Sequence, residues 1–552
     1  MYLRTSSSGG RSYLQLVEGF REAGRVRQRV IANLGRIDQL KPGQFDPLIR
    51  GLQRASGAAE EAASAVDVAS VVFEPARGFG DLYALHVLWQ ELSLGAALRA
   101  CLRSSRRQFD AEALVRSMVF NRLCDPKSKL GLLDWLDTVA MPECPAMSHQ
   151  QLLRAMDALV SNMDAVESAV CRQIRPLLDQ SVSLVFYDLT TIKIYGSSEQ
   201  PEDLRRYGYS KDFNGTARQF VLGVVQSSDG IPLLHTVAPG NVSEAATLRP
   251  MLEHALKRFA VKQFIVIADR GLLSLENIAE IQALGTATKR NIDFILAVPA
   301  RRYKDLAQLM PNLKFENGLA EGQFAGQRLV VAFDPQRAAA QSAAREAKLQ
   351  ALEAIGQRLA DKLTAQDDGI ASPGRRASDR TAFLSFAREM RDRQLTRLIK
   401  IDWKAELFCF ERNEPAIARA ESLDGKLFLL TSLKPEPFDA KSIVARYKSL
   451  ADIERGFRVL KSDIRIAPVH HRLETRIRAH ALICFLALLL YRMVRMRLRA
   501  GTSRLSANKA LAQLKNIQQH SAKVNGTTHQ GISRLNPVQS ELFADLKIPA
   551  PK

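Results

Sequence analysis

The segment Ser183-Leu-Val-Phe-Tyr-Asp-Leu-Thr-Thr-Ile-Lys-Ile194 decides the fold class, because its β-branched and aromatic residues follow a long stretch of helical spacing. It predicts a strand that carries a carboxylate, Asp188, where the apolar run ends. A buried strand is a costly place for a carboxylate that has neither a partner nor a metal ion. Asp188 is therefore the first candidate functional residue.

Further strands and helices alternate downstream of this segment. The predicted elements are strands at 219–225 and 231–237 with a turn between them, a helix at 244–259, a strand at 263–269, a helix at 275–284 and a strand at 291–299. A strand, a hairpin and then a β-α-β-α-β series indicate an α/β fold with a mixed sheet flanked by helices.

A second carboxylate, Asp269, stands at the end of its own apolar strand. One such aspartate is usually a turn or capping residue. Two aspartates on neighbouring strands favour a metal site instead. Ligand sites of open α/β sheets lie at strand ends, and hard divalent cations require paired carboxylates.

A third carboxylate, Glu454, lies in a stretch that predicts one helix from 440 to about 461. Tyr447, Glu454 and Lys461 are seven residues apart and would share a face, with Arg458 beside them. Taken alone, this stripe could equally be an ordinary solvated row of salt bridges.

The rest of the chain is predicted mainly from periodicity. Before Asp188, it comprises a hairpin at 12–18 and 26–32, a helix at 47–70, and a helical region at 80–178 that would either recognise DNA or only pack. An insertion follows the sheet, with a strand at 328–334, two helices, and a hairpin that pairs 405–411 with 426–432. The chain then has a helix at 473–499 and a C-terminal surface appendage.

Charge and composition restrict the function. The chain has 552 residues and a net charge of +20, and residues 446–499 alone carry 13 Lys and Arg against 4 Asp and Glu. Such an excess suits a nucleic acid partner.

The six cysteines form no C-x-x-C pair, which argues against a zinc ribbon and favours a reducing cytoplasm. The longest apolar run, 479–491, is too short to span a membrane, and no signal peptide is expected.

Four tracts resemble a known family. Tyr447-x-x-Leu450-x-x-x-Glu454-x-x-x-x-x-x-Lys461 is similar to the Y-R-E-K signature of bacterial insertion-sequence transposases of the DDE type, which have an RNase H-like core. Arg205–Asp212, Ala238–Glu244 and Ala268–Leu272 resemble other motifs of that family, and the opening hairpin is similar to the start of a long-chain subgroup. The signature's arginine is replaced by Leu450.

The resemblance implies that Asp188, Asp269 and Glu454 are both the catalytic triad and the ligands of two Mg²⁺ ions, with Mn²⁺ as a substitute. It also implies that Tyr447, Arg458 and Lys461 contact DNA. The expected partners are double-stranded DNA, as terminal inverted repeats and target, and a second copy of the chain on that DNA. No membrane is involved, and the expected location is the bacterial cytoplasm, at the nucleoid.

The implied fold is an RNase H-like α/β domain with an inserted α+β domain and a mainly helical N-terminal region. The predicted domains are a hairpin (1–45), a helical, DNA-binding region (46–178), two parts of the catalytic domain (179–299 and 436–500), an insertion (300–435) and an appendage (501–552). The function implied is cut-and-paste cleavage and strand transfer. The alternatives are a nuclease of the same core without strand transfer and an inactive DNA-binding protein.

Overall fold

The computed structural model describes most of the chain. The described residues are 2–8, 11–22, 25–36, 71–104, 107–177, 183–196, 203–210, 215–243, 245–259, 263–268, 275–299, 302–370, 377–402, 407–524 and 527–551. The predicted helix at 47–70 lies outside them.

Helices make up much of the described chain. They are α1 (Gly80–Glu91), α2 (Leu94–Leu102), α3 (Ala111–Cys124), α4 (Gly131–Leu136), α5 (His149–Ser161), α6 (Met163–Ile174), α7 (Leu248–Arg258), α8 (Leu275–Thr288), α9 (Tyr303–Ala307), α10 (Pro335–Asp367), α11 (Asp379–Asp392), α12 (Glu414–Glu421), α13 (Ala440–Lys448), α14 (Leu450–Ser462), α15 (Glu474–Ala500), α16 (Ala507–Lys515) and α17 (Pro537–Asp545).

The strands are β1 (Tyr2–Ser8), β2 (Arg11–Glu22), β3 (Arg25–Arg36), β4 (Val71–Phe73), β5 (Arg77–Gly78), β6 (Ser183–Lys193), β7 (Arg206–Ser210), β8 (Gly215–Gln226), β9 (Pro232–Pro239), β10 (Gln263–Ala268), β11 (Asn291–Ala297), β12 (Leu319–Phe324), β13 (Gln327–Phe333), β14 (Ile399–Asp402), β15 (Cys409–Arg412), β16 (Lys426–Thr431), β17 (Gln518–Val524) and β18 (Thr527–Ile532).

The chain divides into two compact units. The terminal unit consists of Met1–Asp179, Leu189–Val242 and Asp452–Lys552. The central unit consists of Gln180–Asp188 and Ser243–Ala451. Strand β6 and helix α14 each contribute residues to both units, because the two boundaries fall after Asp188 and after Ala451.

The central unit is built on a mixed sheet with the strand order β12-β13-β16-β11-β10-β6. Strands β6, β10 and β11 are parallel, whereas β16 runs antiparallel to β11 and β13. Residues 264–268 of β10 are at most 1% exposed, as expected for a parallel strand that is covered on both faces. Helices α8 and α13 pack against this sheet. The predicted α/β class, with a mixed sheet flanked by helices, is confirmed.

Strand pairing within residues 300–435 differs from the prediction. The segment at 426–432 does not form a hairpin with 405–411: β16 pairs with β13 and β11 in the main sheet, and β15 pairs with β14. Periodicity identifies a strand, but the choice of its partner depends on contacts distant in sequence. The helices α10 and α11 and the β14–β15 hairpin share a separate apolar cluster around Phe386, which is fully buried.

The terminal unit contains the predicted hairpin of β8 and β9, which is confirmed, with β7 on the other side of β8. The predicted helical region is observed as α1–α6. Helix α15 packs against α3, α5 and β9 and is the core helix of this unit. It is the one described helix long and apolar enough to cross a membrane, and 94% of its most apolar window is buried.

Both ends of the chain differ from expectation. Near the N-terminus, β1 pairs with β2, so the predicted hairpin is a three-stranded sheet. The C-terminal segment is packed into the terminal unit instead of forming an appendage. There β17 pairs with β4 and β5, and Leu542, Phe543 and Leu546 are at most 1% exposed.

Candidate active site

Asp188 lies on β6 at the point where this strand leaves the central unit. In the parallel register of β6 and β10, the last pair is Tyr187 with Ala268. In the sequence, Asp188 follows Tyr187 and Asp269 follows Ala268. Tyr187 and Ala268 are both fully buried, and the Asp188 side chain is half-buried. The register therefore supports the expectation that Asp188 and Asp269 belong to neighbouring strands.

The other two carboxylates are described only in part. Asp269 lies outside the described residues, directly after the end of β10. The backbone of Glu454 lies in α14, as the sequence predicts, and its side chain is outside the described part of the chain. Asp188 belongs to the central unit and Glu454 to the terminal unit. The triad as a whole stays a prediction.

The predicted single helix from 440 to about 461 is two helices, α13 and α14, with the turn residue Ser449 between them. The Ser449 hydroxyl donates to the Arg446 carbonyl at 2.6 Å. Such a side-chain bond to a carbonyl of the preceding turn suits a helix end better than an interior. Tyr447 therefore lies on α13, whereas Glu454, Arg458 and Lys461 lie on α14, where Glu454 and Lys461 keep their seven-residue spacing within one helix.

Leu450, the departure from the family signature, is only 3% exposed. A buried first residue of α14 suits leucine, because an arginine there would lose its hydration. Nearby, the guanidinium of Arg446 lies 4.9 Å from the centre of the Phe438 ring, and burial lowers the pKa of Arg446. Arg446 is thus occupied in packing and is a poor substitute for the signature's arginine.

Arg458 and Lys461 differ in their surroundings. Arg458 is exposed, and its guanidinium has no hydrogen-bond or ion-pair partner in the described chain. Lys461 is half-buried and interacts with another group. Phe457 lies on the same face as Lys461, four residues before it, and Leu460 lies nearly opposite Arg458; both are buried, at 6% and 1% exposure. This amphipathic pattern holds the helix in place and leaves Arg458 available for a partner.

Gly456 marks the closest approach of α14 to its neighbours in the terminal unit. A Cβ atom at this position would lie 2.9 Å from Gln226 Nε2 and 3.1 Å from Arg492 Nη2. Gln226 and Arg492 are themselves buried, at 0% and 2% exposure. The glycine therefore lets the helix that carries Glu454 pack directly on β8 and α15.

Much of the basic charge of residues 446–499 is used inside the terminal unit. Arg492 is buried, and Arg497 bonds Glu91 and the Leu546 carbonyl, each at 2.6 Å. Arg476 and Arg478 pair with Asp157 and Glu474. The basic excess of this segment, which suits a nucleic acid partner, is therefore not all available to one.

Sequence reasoning overlooked Arg472, which is exposed in the loop before α15 and has no side-chain partner among the described residues. Arg458 and Arg472 are exposed guanidinium groups without a partner in the described chain, and both fit a polyanion. The signal that could have found Arg472 is its place in a polar loop, since arginines in the apolar helix that follows are drawn into packing.

A buried ion network holds Arg205, the first residue of the tract 205–212. Arg205 Nε donates to both carboxylate oxygens of Asp203, at 2.8 and 2.7 Å, and Arg218 approaches the same carboxylate at 3.4 Å. Burial acts to raise the pKa of Asp203, but the bonds from Arg205 outweigh it and leave this pKa below its ordinary value. These residues fix the start of β7 instead of facing solvent.

Comparison with known proteins identifies two matching families. Residues 180–490 match the family described as transposase DDE domain. Residues 3–64 match the N-terminal domain of the IS1634 family transposase. No curated protein matches the chain. A cryo-EM structure of the piggyBac transposase synaptic complex with hairpin DNA is similar at 8% identity and a TM-score of 0.38, over 79% of each chain.

Proposed function

The chain belongs to the DDE transposases of insertion sequences, and we propose that it cleaves DNA at the ends of its element and joins the freed 3′ ends to target DNA. The observation that carries this proposal is the register of β6 and β10, which leads into Asp188 and Asp269 from adjacent parallel strands. Glu454, on a helix packed closely at Gly456, is the third member of the proposed site.

The proposed site fits Mg²⁺ by its donor set, because carboxylate oxygens are the ligands this ion prefers. Asp188, Asp269 and Glu454 would hold the ions, and Mn²⁺ would serve as a substitute. When bound, two Mg²⁺ ions would activate the attacking hydroxyl and neutralise charge at phosphorus. Both proposed steps are in-line displacements at phosphorus, so one site would serve both.

DNA-contacting roles follow from the charge near this site. We assign Lys461 and Arg458 to phosphate contacts on α14, as a compact ammonium and a planar fork, and Tyr447 to a contact from α13.

The proposed partners are the element's terminal inverted repeats, target DNA and a second copy of the chain. A DNA-directed enzyme of this kind would act in the bacterial cytoplasm, at the nucleoid.

The test is cleavage of terminal-repeat DNA by the purified chain in Mg²⁺. Asp188→Asn, Asp269→Asn and Glu454→Gln should each reduce cleavage by at least about a thousandfold, because each removes a metal ligand, while DNA binding is largely retained. The matched control is Asp293→Asn: Asp293, on β11 of the same sheet, accepts a 2.8 Å bond from the Ser432 hydroxyl, which asparagine also accepts. This control should cleave normally.

The reaction products distinguish the proposed transposase from a nuclease and from an inactive DNA-binding protein. Joined strand-transfer products support the transposase proposal. Cleavage without joining would assign the chain as a nuclease, and binding without cleavage would assign it as an inactive DNA-binding protein. A triad variant that cleaves like the unmodified chain would remove that residue from the site.

A further inference from the structure

Several cationic and imidazole side chains are buried together in the terminal unit, and none of them is a residue proposed for catalysis. Arg122 on α3, Lys129 in the loop between α3 and α4, and His480 on α15 are 6%, 7% and 6% exposed. His471, just before α15, is half-buried, with its ring centre 5.9 Å from that of His480. Burial of such groups is costly unless they are paired.

Pairing within this cluster is incomplete. Arg122 Nη1 donates to the Arg465 carbonyl at 3.1 Å, but Arg122 Nε has no partner. His480 Nε2 bonds the Ile466 carbonyl at 2.9 Å, and His480 Nδ1 has no partner. Lys129 makes no hydrogen bond or ion pair with any described residue.

The electrostatic surroundings of the cluster are positive. Burial is the largest cause that lowers the pKa of Lys129 to about 7 and of His471 to about 4, and it lowers the pKa of His480 well below its ordinary value. Arg122 lowers all three further by repulsion. No carboxylate of the described chain is among the groups that shift these three pKa values.

The loop that carries Lys129 lies at the surface, where Lys127 and Ser128 are exposed. Asp125, earlier in this loop, pairs with Lys127 at 3.3 Å and not with Lys129. Arg465 and Arg472 are exposed near the other side of the cluster. A positive rim around unpaired buried cations repels metal ions and suits an anion with several oxygen acceptors.

We propose that Arg122 and Lys129, with His471 and His480 beside them, form a binding site for a phosphate group, supplied either by the DNA backbone or by free phosphate. The phosphate oxygens accept from Arg122 Nε and from the Lys129 ammonium and compensate the buried positive charge. This site is separate from the proposed triad and does not depend on cleavage.

Binding at this site depends on pH. The groups that act electrostatically on the cluster are Arg122 from α3, Lys129 from the following loop, Arg465, His470 and His471 from the loop before α15, and Arg476, His480 and Cys484 from α15. Because the pKa of Lys129 is about 7, its positive charge is lost as the pH rises above that value. The contribution of Lys129 to phosphate binding therefore weakens as the pH rises above about 7.

The experiment measures thermal unfolding of the full chain with inorganic phosphate or with chloride at equal ionic strength. At pH 6.5, phosphate should raise the Tm of the unmodified chain by about 2 °C or more, and Lys129→Met should abolish this rise. Lys129→Met removes an unpaired buried charge and should fold at least as well as the original. The matched control is Lys127→Met, from the same loop, which should keep the full response.

A second arm measures binding to a short duplex without terminal-repeat sequence. If the phosphate belongs to the DNA backbone, Lys129→Met weakens duplex binding by about tenfold, the order of one charge-assisted contact, and Lys127→Met does not. If the ligand is free phosphate, duplex binding is unchanged in Lys129→Met while the phosphate response is lost. An equal phosphate response in Lys129→Met and the unmodified chain, or none in either, overturns the proposal. Neither arm of this experiment requires the triad residues. The result for the phosphate site is therefore independent of the cleavage test of the proposed transposase activity.

Discussion

At the scale of the residue, burial separates Leu450 from Arg458 as candidates for the proposed DNA contact. The position of the signature's arginine is Leu450, which is 3% exposed and lies in the central unit. Arg458 is exposed without a partner in the described chain. We therefore assign the proposed phosphate contact on α14 to Arg458, and Leu450 serves packing.

Replacing Leu450 by the arginine of the family signature should destabilise the protein. Leu450→Arg should lower the free energy of unfolding by about 3 kcal/mol or more, because it moves a charge from water into a buried position. Urea unfolding measures this change. Leu450→Met, which conserves volume, should cost less than about 1.5 kcal/mol. A stable Leu450→Arg variant with faster cleavage would show that the position faces DNA.

Lys461 gives the sharpest test of the assignments on α14. Lys461→Ala should slow cleavage and weaken end binding by roughly tenfold or more, the order of one charge-assisted hydrogen bond. Lys461→Arg should rescue only in part, since a planar fork differs from a compact ammonium. The comparison is Lys448→Ala, an exposed lysine at the end of α13. Equal behaviour of the two alanine variants would remove Lys461 from the proposed interface.

At the scale of the element, close backbone approach explains glycines in two family tracts. A Cβ atom at Gly208 on β7 would lie 2.0 Å from the Gly240 carbonyl oxygen. A Cβ atom at Gly240 would lie 2.0 Å from the Gln219 carbonyl oxygen. Backbone atoms cannot yield as a flexible side chain can, so both positions exclude larger residues for reasons of packing.

Gly208→Ala should therefore lower the free energy of unfolding by about 2 kcal/mol or more, through overpacking against the backbone. Gly531 on β18 is the matched control, because a Cβ atom there meets nothing within 4 Å. Gly531→Ala should be neutral or stabilise by about 0.4–1 kcal/mol, by restricting the unfolded chain. Chemical denaturation of both variants tests the contrast. Similar losses in the two would contradict the close-approach explanation.

At the scale of the whole molecule, net charge and available charge are different quantities. The chain carries +20, yet Arg476, Arg478 and Arg497 each pair with a carboxylate of the terminal unit. These arginines stabilise the fold and have little left for DNA. Exposed, unpaired residues such as Arg458 and Arg472 are the ones that can release counterions from a duplex.

The salt dependence of DNA binding measures this difference. Replacing Arg458 and Arg472 together by glutamine should reduce the slope of log affinity against log salt by about 2, since each phosphate contact contributes about 0.9. Replacing Arg476 and Arg478 together is the matched control and should change the slope little. If both double variants flatten the slope equally, internal pairing does not limit the charge available to DNA.

The sequence by itself determined the elements whose signals are local. The apolar run that precedes Asp188, the β8–β9 hairpin and the helices α1–α6 follow from spacing and turn residues over a few positions. The candidate aspartates could be chosen for the same reason, since each stands at the end of an apolar strand.

Only the tertiary structure decided partners and burial. The strand at 426–431 pairs with β13 and β11 and not with the segment at 405–411, and the register of β6 with β10 joins segments some eighty positions apart in sequence. Arg492 is in the core and Arg458 is exposed, although both are arginines on helices of one basic segment. The physical reason is that pairing, burial and desolvation depend on residues distant along the chain, which a local pattern does not contain.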